Sequence, residues 1–216
     1  PKVTEFWTNL GQDERLYAIY KAIGHSEESK HFTPARKKVI ENSLRGFQLG
    51  GAELPADKKP RFSAIQERMA ALTAKFSENV LDATNAFEHL VTDEAQLKGI
   101  PDYAKEAARE LAKSEGKEGY KFTLQFPSYF PVLQYAEHRP LREALYEAYA
   151  KRASEFGPAE LDNTALIKEL LELRQEEAQM LGYRHFGDLS LVPKMAKNPE
   201  EVIAFLRELA AKAKPF

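Results

Sequence analysis

The residues best suited to hold a metal or transfer a proton are the five histidines, at positions 25, 31, 89, 138 and 185. Two histidines four residues apart on a helix, with a glutamate after the first as in HExxH, would bind zinc and activate a water molecule. No two of the five have this spacing. His25 and His31 flank Glu27 and Glu28, a pattern more typical of a surface loop. The sequence therefore predicts no metal ligand.

Motifs for nucleophilic catalysis and phosphate binding are also missing, because the sequence contains no GxSxG, GxxxxGK[ST] or GxGxxG. The absence of cysteine excludes disulfides, thiolate catalysis and cysteine-ligated metals. Glu172, Glu176 and Glu177 surround Arg174, and this pattern favours a solvated helix face with i, i+4 ion pairs. We therefore predict no catalytic, cofactor-binding or metal-binding residue in this chain.

Two aromatic segments are further candidates for a binding site. Residues 182–187, GYRHFG, mix aromatic and ionisable groups, but they are interpreted as the end of a helix with two aromatics docked on the core. The aromatics between Tyr120 and Tyr135 are suited to line a groove for peptide or sugar. Their alternation in a predicted strand instead favours a core position on one face.

Composition excludes several classes of protein. The chain has 216 residues, of which 43% are hydrophobic and 30% charged, as in an ordinary globular protein. A formal net charge of −2 gives no electrostatic basis for binding nucleic acid or an anionic membrane. No apolar run approaches the roughly 20 residues that span a bilayer, and no signal segment opens the chain. We expect a cytoplasmic protein.

The strongest signals for a helix start, an apolar face and a helix stop lie together within residues 161–191. Asp162 or Asn163 can cap the first turn, and Gly182 ends the helix. The predicted apolar face consists of Ile167, Leu171, Ala178 and Leu181, widened by Leu166, Leu170 and Leu173. A helix with so broad an apolar face is expected to contact several neighbours.

Helices are predicted along most of the remaining chain. They cover residues 1–23 with a break at Gly11, 34–50 capped by Thr33, 55–84, 101–114, 140–154 and a last helix opened by Asn198 and Pro199. The 55–84 helix carries a nearly heptad seam of Phe62, Ile65, Met69, Leu72, Phe76 and Val80. Residues 119–126 alternate as a half-buried strand, for which 86–91 is the available partner.

The fold class predicted from these patterns is mainly α: a multi-helix lobe with a small two-stranded β ribbon, about 86–91 with 119–126. We expect residues 1–216 to form a single helical lobe with a candidate sub-boundary near 155–159, at Gly157 and Pro158. The chain begins at Pro1 without an initiator Met and stops directly after a predicted helix. We therefore expect it to be a fragment of a longer, two-lobed protein.

Four collinear segments carry a resemblance to a known family. They are PKVTEF at 1–6, FSENVLDATNAFEHLVTDEAQLKGIP at 76–101, FPSYFPVLQYAEHRPLREALYEAYAKRAS at 126–154, and the pattern LxxLRxEEAxxLGYxxFxDLSLxxKMAxxPEEVxxFLxELAxxAKP at 170–215. Together they resemble the thimet-oligopeptidase family of zinc metallopeptidases, and within it the bacterial oligopeptidase A branch. None of the four is a catalytic motif.

The resemblance implies a predominantly helical enzyme with two lobes around a channel that admits short peptides. In the family, an HExxH helix and a downstream glutamate hold zinc, which lowers the pKa of a bound water while the motif glutamate accepts its proton. That helix lies further toward the C-terminus than this chain extends, so no residue here corresponds to a catalytic one. We expect zinc in the full-length parent and none in this fragment.

Two functional hypotheses follow. In the first, the chain supplies the non-catalytic lobe and part of the channel wall of a zinc oligopeptidase, is inactive alone, and has short peptides and the missing catalytic lobe as its partners. In the second, it is a stand-alone helical module that binds peptide or protein without enzymatic activity. The first also predicts uncovered apolar surface and self-association of the fragment.

Overall fold

A computed structural model describes residues 2–215, which are mainly helical as predicted. The α-helices are α1 (Lys2–Gly11), α2 (Glu14–His25), α3 (Pro34–Leu49), α4 (Lys59–Ala86), α5 (Asp102–Ser114), α6 (Phe126–Tyr135), α7 (Arg139–Ala150), α8 (Thr164–Met180), α9 (Phe186–Leu191) and α10 (Pro199–Ala213). Short 3-10 helices cover Glu27–His31, Glu94–Leu97 and Ala159–Leu161. The strands are β1 (His89–Val91) and β2 (Tyr120–Phe122).

These elements form two compact units. The first, called the discontinuous unit, comprises residues 2–73 and 168–215, and the second, called the inserted unit, comprises residues 74–167. The chain passes from one to the other within α4 and again within α8. The single lobe with a sub-boundary near 155–159 stays a prediction.

The discontinuous unit has an aromatic core between α2 and α3. Tyr17, Phe47 and Ala52 are buried there, with Leu16, Tyr20 and Leu44 packed against them. Thr33 caps α3 as predicted, since its hydroxyl accepts a hydrogen bond from the Arg36 amide. Gly11 and Gly50 allow close backbone approach, because a Cβ at Gly50 would lie 3.0 Å from the Gly11 Cα.

The inserted unit is built around an antiparallel β ribbon that packs on α5, α6 and α7. Its core contains Val91, Leu97, Ile100, Ala104, Ala108, Phe122, Val132, Ala136, Leu141 and Leu145. In the ribbon, His89 pairs with Phe122 and Val91 pairs with Tyr120. The predicted pairing of two strands is therefore confirmed.

Both strands are shorter than predicted. Strand β2 ends at Phe122, since the Thr123 amide donates to the Ser128 hydroxyl at 3.0 Å instead of continuing the ladder. Leu124 is still buried, but Phe126 begins α6 with Pro127 in its first turn. Phe126 is 63% exposed, so the prediction that it shares the inward face of the strand is wrong.

Four charged side chains link the ribbon to the end of α5. Lys117 and Lys121 each contact both Glu88 and Glu115, at distances between 2.5 and 3.0 Å. Hydrogen bonds from Lys117 and then Lys121 lower the pKa of Glu88 to about 2. The ionised form of Glu88 is therefore the form that the folded chain favours.

Replacing Glu88 by glutamine is expected to weaken the dependence of stability on acidity. Because the pKa of Glu88 is lowered in the folded state, the ionised group stabilises the fold at pH values above the ordinary carboxyl pKa of about 4.5. This stabilisation is lost as the pH falls through about 2. The free energy of unfolding, measured by urea titration from pH 7 to pH 2, should thus fall less in Glu88→Gln. Glu78→Gln on α4 is the matched control, and equal pH profiles for both variants would contradict the assignment.

The helix predicted to begin near Asp162 and to end at Gly182 is α8. It ends at Met180, and Gly182 follows with φ +83°, so the predicted helix stop is confirmed, while α9 forms separately. Leu170, Leu173 and Ala178 are buried, but Ile167 and Leu171 are 45% and 59% exposed. The predicted apolar face is therefore partly wrong. One residue rotates a helix by about 100°, so burying Leu170 turns Leu171 away from the core.

Candidate binding surfaces

The five histidines are dispersed over the fold. His25 ends α2 with its ring Nδ1 2.7 Å from the Lys21 carbonyl oxygen, His31 ends a 3-10 helix, His89 lies in β1, and His138 and His185 precede α7 and α9. Within residues 2–215 no three His, Cys, Asp or Glu side chains are grouped so as to hold a metal. The described residues therefore do not fit the zinc that the resemblance implies.

The carboxylates of α8 contact another helix. Glu176 accepts two hydrogen bonds from Arg61 of α4, at 2.7 and 2.6 Å, where the sequence favoured pairs within its own helix. Glu169 accepts two from Arg68, at 2.5 and 2.7 Å. The two arginines are seven residues apart on α4, and the two glutamates are seven residues apart on α8. Side chains seven residues apart lie on the same face of a helix. That shared spacing was the signal available in the sequence.

A partly buried carboxyl group accompanies these ion pairs. The Gln66 side chain donates to Glu177 at 2.7 Å. Burial raises the pKa of Glu177, and the hydrogen bond from Gln66 opposes that shift only in part. Because Gln66 and the arginines occupy the same stretch of α4, we interpret Glu177 as part of the contact between α4 and α8.

The GYRHFG segment forms the connection between α8 and α9. The Tyr183 amide donates to the Ala178 carbonyl at 2.8 Å, closing the end of α8. The Arg174 guanidinium lies 5.0 Å from the ring centre of Phe186. His185 caps α9 through its Nδ1, which accepts from the Asp188 amide at 3.2 Å. These contacts agree with a structural role for the segment.

Three grooves line the surface of the inserted unit. The charged groove, about 630 Å³, is bordered by Glu94, Ala95, Leu97, Lys98, Asp102, Lys105, Glu106, Arg109 and Tyr120. The apolar groove, about 480 Å³, includes Ala83, Ala86, Phe87, Leu124, Ala148, Lys151 and Phe156. The arginine groove, about 390 Å³, is bordered by Leu133, Arg139, Arg142, Glu143 and Tyr146.

The aromatic segment around α6 is divided between core and surface. Phe122 is 1% exposed, as its predicted position on the inner face of the strand requires. Phe126 and Phe130 are exposed and stack on each other with ring centres 4.9 Å apart. Tyr129 stacks on Tyr149 of α7 at 4.2 Å. Part of this segment is therefore core, and part is an accessible aromatic surface.

Comparison with known proteins assigns this arrangement to a family. Residues 132–216 match the family model described as Peptidase family M3, and residues 1–59 match the Neurolysin/Thimet oligopeptidase N-terminal domain. The chain belongs to peptidase family M3. The resemblance read from the sequence is thereby confirmed.

Relatives within family M3 align with the whole chain. Oligopeptidase A of Haemophilus influenzae is 47% identical over 100% of this chain, which covers 32% of that protein. Oligopeptidase A of Escherichia coli is 42% identical over the same share of both. A probable cytosolic oligopeptidase A of Arabidopsis thaliana is 39% identical over 96% of this chain and 30% of its own length. The chain thus spans about a third of the length of these relatives.

Two helices of this M3 chain carry large uncovered apolar side chains. On α10, Ile203, Phe205, Leu206 and Leu209 are between 46% and 59% exposed, and none of its residues is buried. On α1, Phe6 and Trp7 are 59% and 62% exposed. Such faces mark interaction surfaces. No helix within residues 2–215 is long and apolar enough to cross a bilayer.

Proposed function

We propose that this chain is part of a zinc-dependent metallo-oligopeptidase that hydrolyses short peptides. The observation that supports this most is the collinear similarity of the entire chain to oligopeptidase A of two bacteria, at 47% and 42% identity. The name of the Arabidopsis relative supports a cytoplasmic location.

In this proposal the chain contributes the non-catalytic lobe and part of the channel wall. The zinc ligands and the general base belong to other parts of the parent protein, because residues 2–215 contain no group of side chains placed to hold a metal. Zinc in the parent supplies a polarised carbonyl and an activated water. The chain's own residues bind and confine the peptide and contact the catalytic lobe.

The test is peptide hydrolysis by the complete parent protein. An internally quenched short peptide should be cleaved, a zinc chelator should abolish cleavage, and added zinc should restore it. A folded protein substrate is the control, since a narrow channel would exclude it. A parent that binds the peptide without cleaving it would instead favour the helical binding module without enzymatic activity.

The exposed face of α10 is proposed to be covered by the rest of the parent polypeptide. The isolated chain should therefore self-associate in sedimentation velocity experiments, because apolar surface left in water favours contact between copies. Leu206→Glu, at a side chain 55% exposed, should shift the chain toward monomer without unfolding it. Glu208→Gln is the control on the same helix. A wild-type chain that stays monomeric at high concentration would contradict this assignment.

A further inference from the structure

The arginine groove is bordered by basic groups that no acidic side chain neutralises. Arg139, the first residue of α7, makes no ion pair or hydrogen bond with its side chain anywhere in the part of the chain that the structure describes. Arg142 donates through Nη1 to the Ala136 carbonyl oxygen, which leaves its remaining N–H groups available. Glu143 borders the groove but pairs with neither arginine. The groove therefore presents an excess of positive charge.

The charged groove differs in this respect, because each of its basic side chains has an acidic partner: Lys98 pairs with Glu137, Lys105 with Asp102 and Arg109 with Glu106. A ligand anion there would have to displace an existing ion pair. In the apolar groove Lys151 pairs with Glu147, and Arg152 donates to the Tyr149 carbonyl and the Thr84 hydroxyl. The arginine groove requires no such exchange.

Apolar surface lies beside the two guanidinium groups. Arg139, Arg142 and Tyr146 are spaced by three and four residues, which places them on one face of α7. Tyr146 is 61% exposed, and Leu133 of α6 completes the border. The groove thus combines anion-binding donors with an apolar and an aromatic contact, which suits an anion attached directly to an apolar group.

We propose that the arginine groove binds the C-terminal carboxylate of a short peptide whose last side chain is apolar. The planar guanidinium groups of Arg139 and Arg142 donate to the carboxylate oxygens, and Leu133 and Tyr146 contact the last side chain. The choice of a peptide as the carrier of this carboxylate rests on the proposed function. The groove is thereby a recognition site and takes no part in bond cleavage.

The experiment is calorimetric titration of the 216-residue chain with N-acetyl-leucyl-phenylalanine and with its C-terminal amide. The acid should bind about tenfold more tightly than the amide, since only the carboxylate accepts charge-assisted hydrogen bonds. Arg139→Gln should weaken binding of the acid by about tenfold and leave binding of the amide unchanged. Arg207→Gln is the matched control, because Arg207 is also exposed and has no acidic partner within residues 2–215.

Three results would overturn the proposal. They are equal binding of acid and amide, an Arg139→Gln variant that binds the acid as tightly as wild type, and competition by acetate as strong as by the acid peptide. The last would assign the groove to small free carboxylates. Acid-selective binding in a chain whose parent cleaves no peptide would overturn the proposed function alone. Cleavage by the parent without acid-selective binding would overturn the carboxylate site alone.

Discussion

Replacing Gly99 by alanine is expected to lower the free energy of unfolding by roughly 3–5 kcal/mol. Gly99 has φ +87°, and a Cβ at this position would lie 2.2 Å from the Tyr135 carbonyl oxygen and 3.2 Å from the Glu137 amide nitrogen. Both are backbone atoms, so no side-chain rotation relieves the contact. Moving that backbone would also disturb the 2.8 Å hydrogen bond from the Glu137 amide to the Lys98 carbonyl.

The matched control for Gly99→Ala is Gly116→Ala. Gly116 also has a positive φ, of +70°, but a Cβ there would meet no atom within 4 Å. Gly116→Ala should therefore lower the free energy of unfolding only by the cost of holding alanine in a left-handed backbone conformation, about 1–2 kcal/mol. Both values can be measured by urea unfolding followed by circular dichroism. Equal losses for the two variants would contradict the close packing of Gly99 against the end of α6.

Asn163→Ala is expected to destabilise the chain by roughly 2–4 kcal/mol. Asn163 is 1% exposed, accepts a hydrogen bond from the Asn79 side chain at 2.9 Å, and donates to the Phe76 carbonyl at 3.1 Å. Its removal leaves the buried Asn79 amide without its hydrogen-bond acceptor, and the water that solvated this amide in the unfolded chain does not replace the lost partner.

The control for Asn163→Ala is Asn42→Ala on the exposed side of α3. Asn42 also makes a side-chain hydrogen bond, with Arg45, but water can replace that partner. The loss there should stay within about 0.5 kcal/mol. Thermal unfolding of both variants gives the comparison. A loss for Asn163→Ala as small as that for Asn42→Ala would show that the buried amide pair contributes little to stability.

Local chemistry made the helix starts predictable. Thr33 and Asn198 were expected to cap α3 and α10, and both accept the amide hydrogen bond that defines the cap. These predictions succeeded because a cap depends on residues within one turn of the chain. The apolar seam of α4 was also predictable from the sequence, and its members Phe62, Ile65 and Leu72 are nearly inaccessible to solvent.

Features that depend on distant residues could not be read so directly. The predicted face of α8 had leucines on both sides, so the sequence left its rotation undetermined, and packing selected Leu170 and Leu173 over Leu171. Phe126 continued the alternation of a strand, yet the adjacent Pro127 favours a helix start, and that local preference prevailed.

The candidate site was not predicted either. Its members come from two helices, with Leu133 on α6 and the arginines on α7, and their significance depends on which acidic side chains are near. The sequence shows that Arg139 and Arg142 share a helix face, but not that Glu143 fails to pair with them. Ion pairs between α4 and α8 were missed for the same reason, since Arg61 and Glu176 are 115 residues apart.

The most direct test of the central claim is a combined zinc and turnover measurement on the isolated 216-residue chain. The purified chain, incubated with zinc and dialysed, should retain no stoichiometric metal and should cleave none of the short peptides that its parent cleaves. Separately expressed remainder of the parent should carry the zinc. Stoichiometric zinc binding by the isolated chain together with peptide turnover would contradict the account, because the catalytic centre would then lie within these residues.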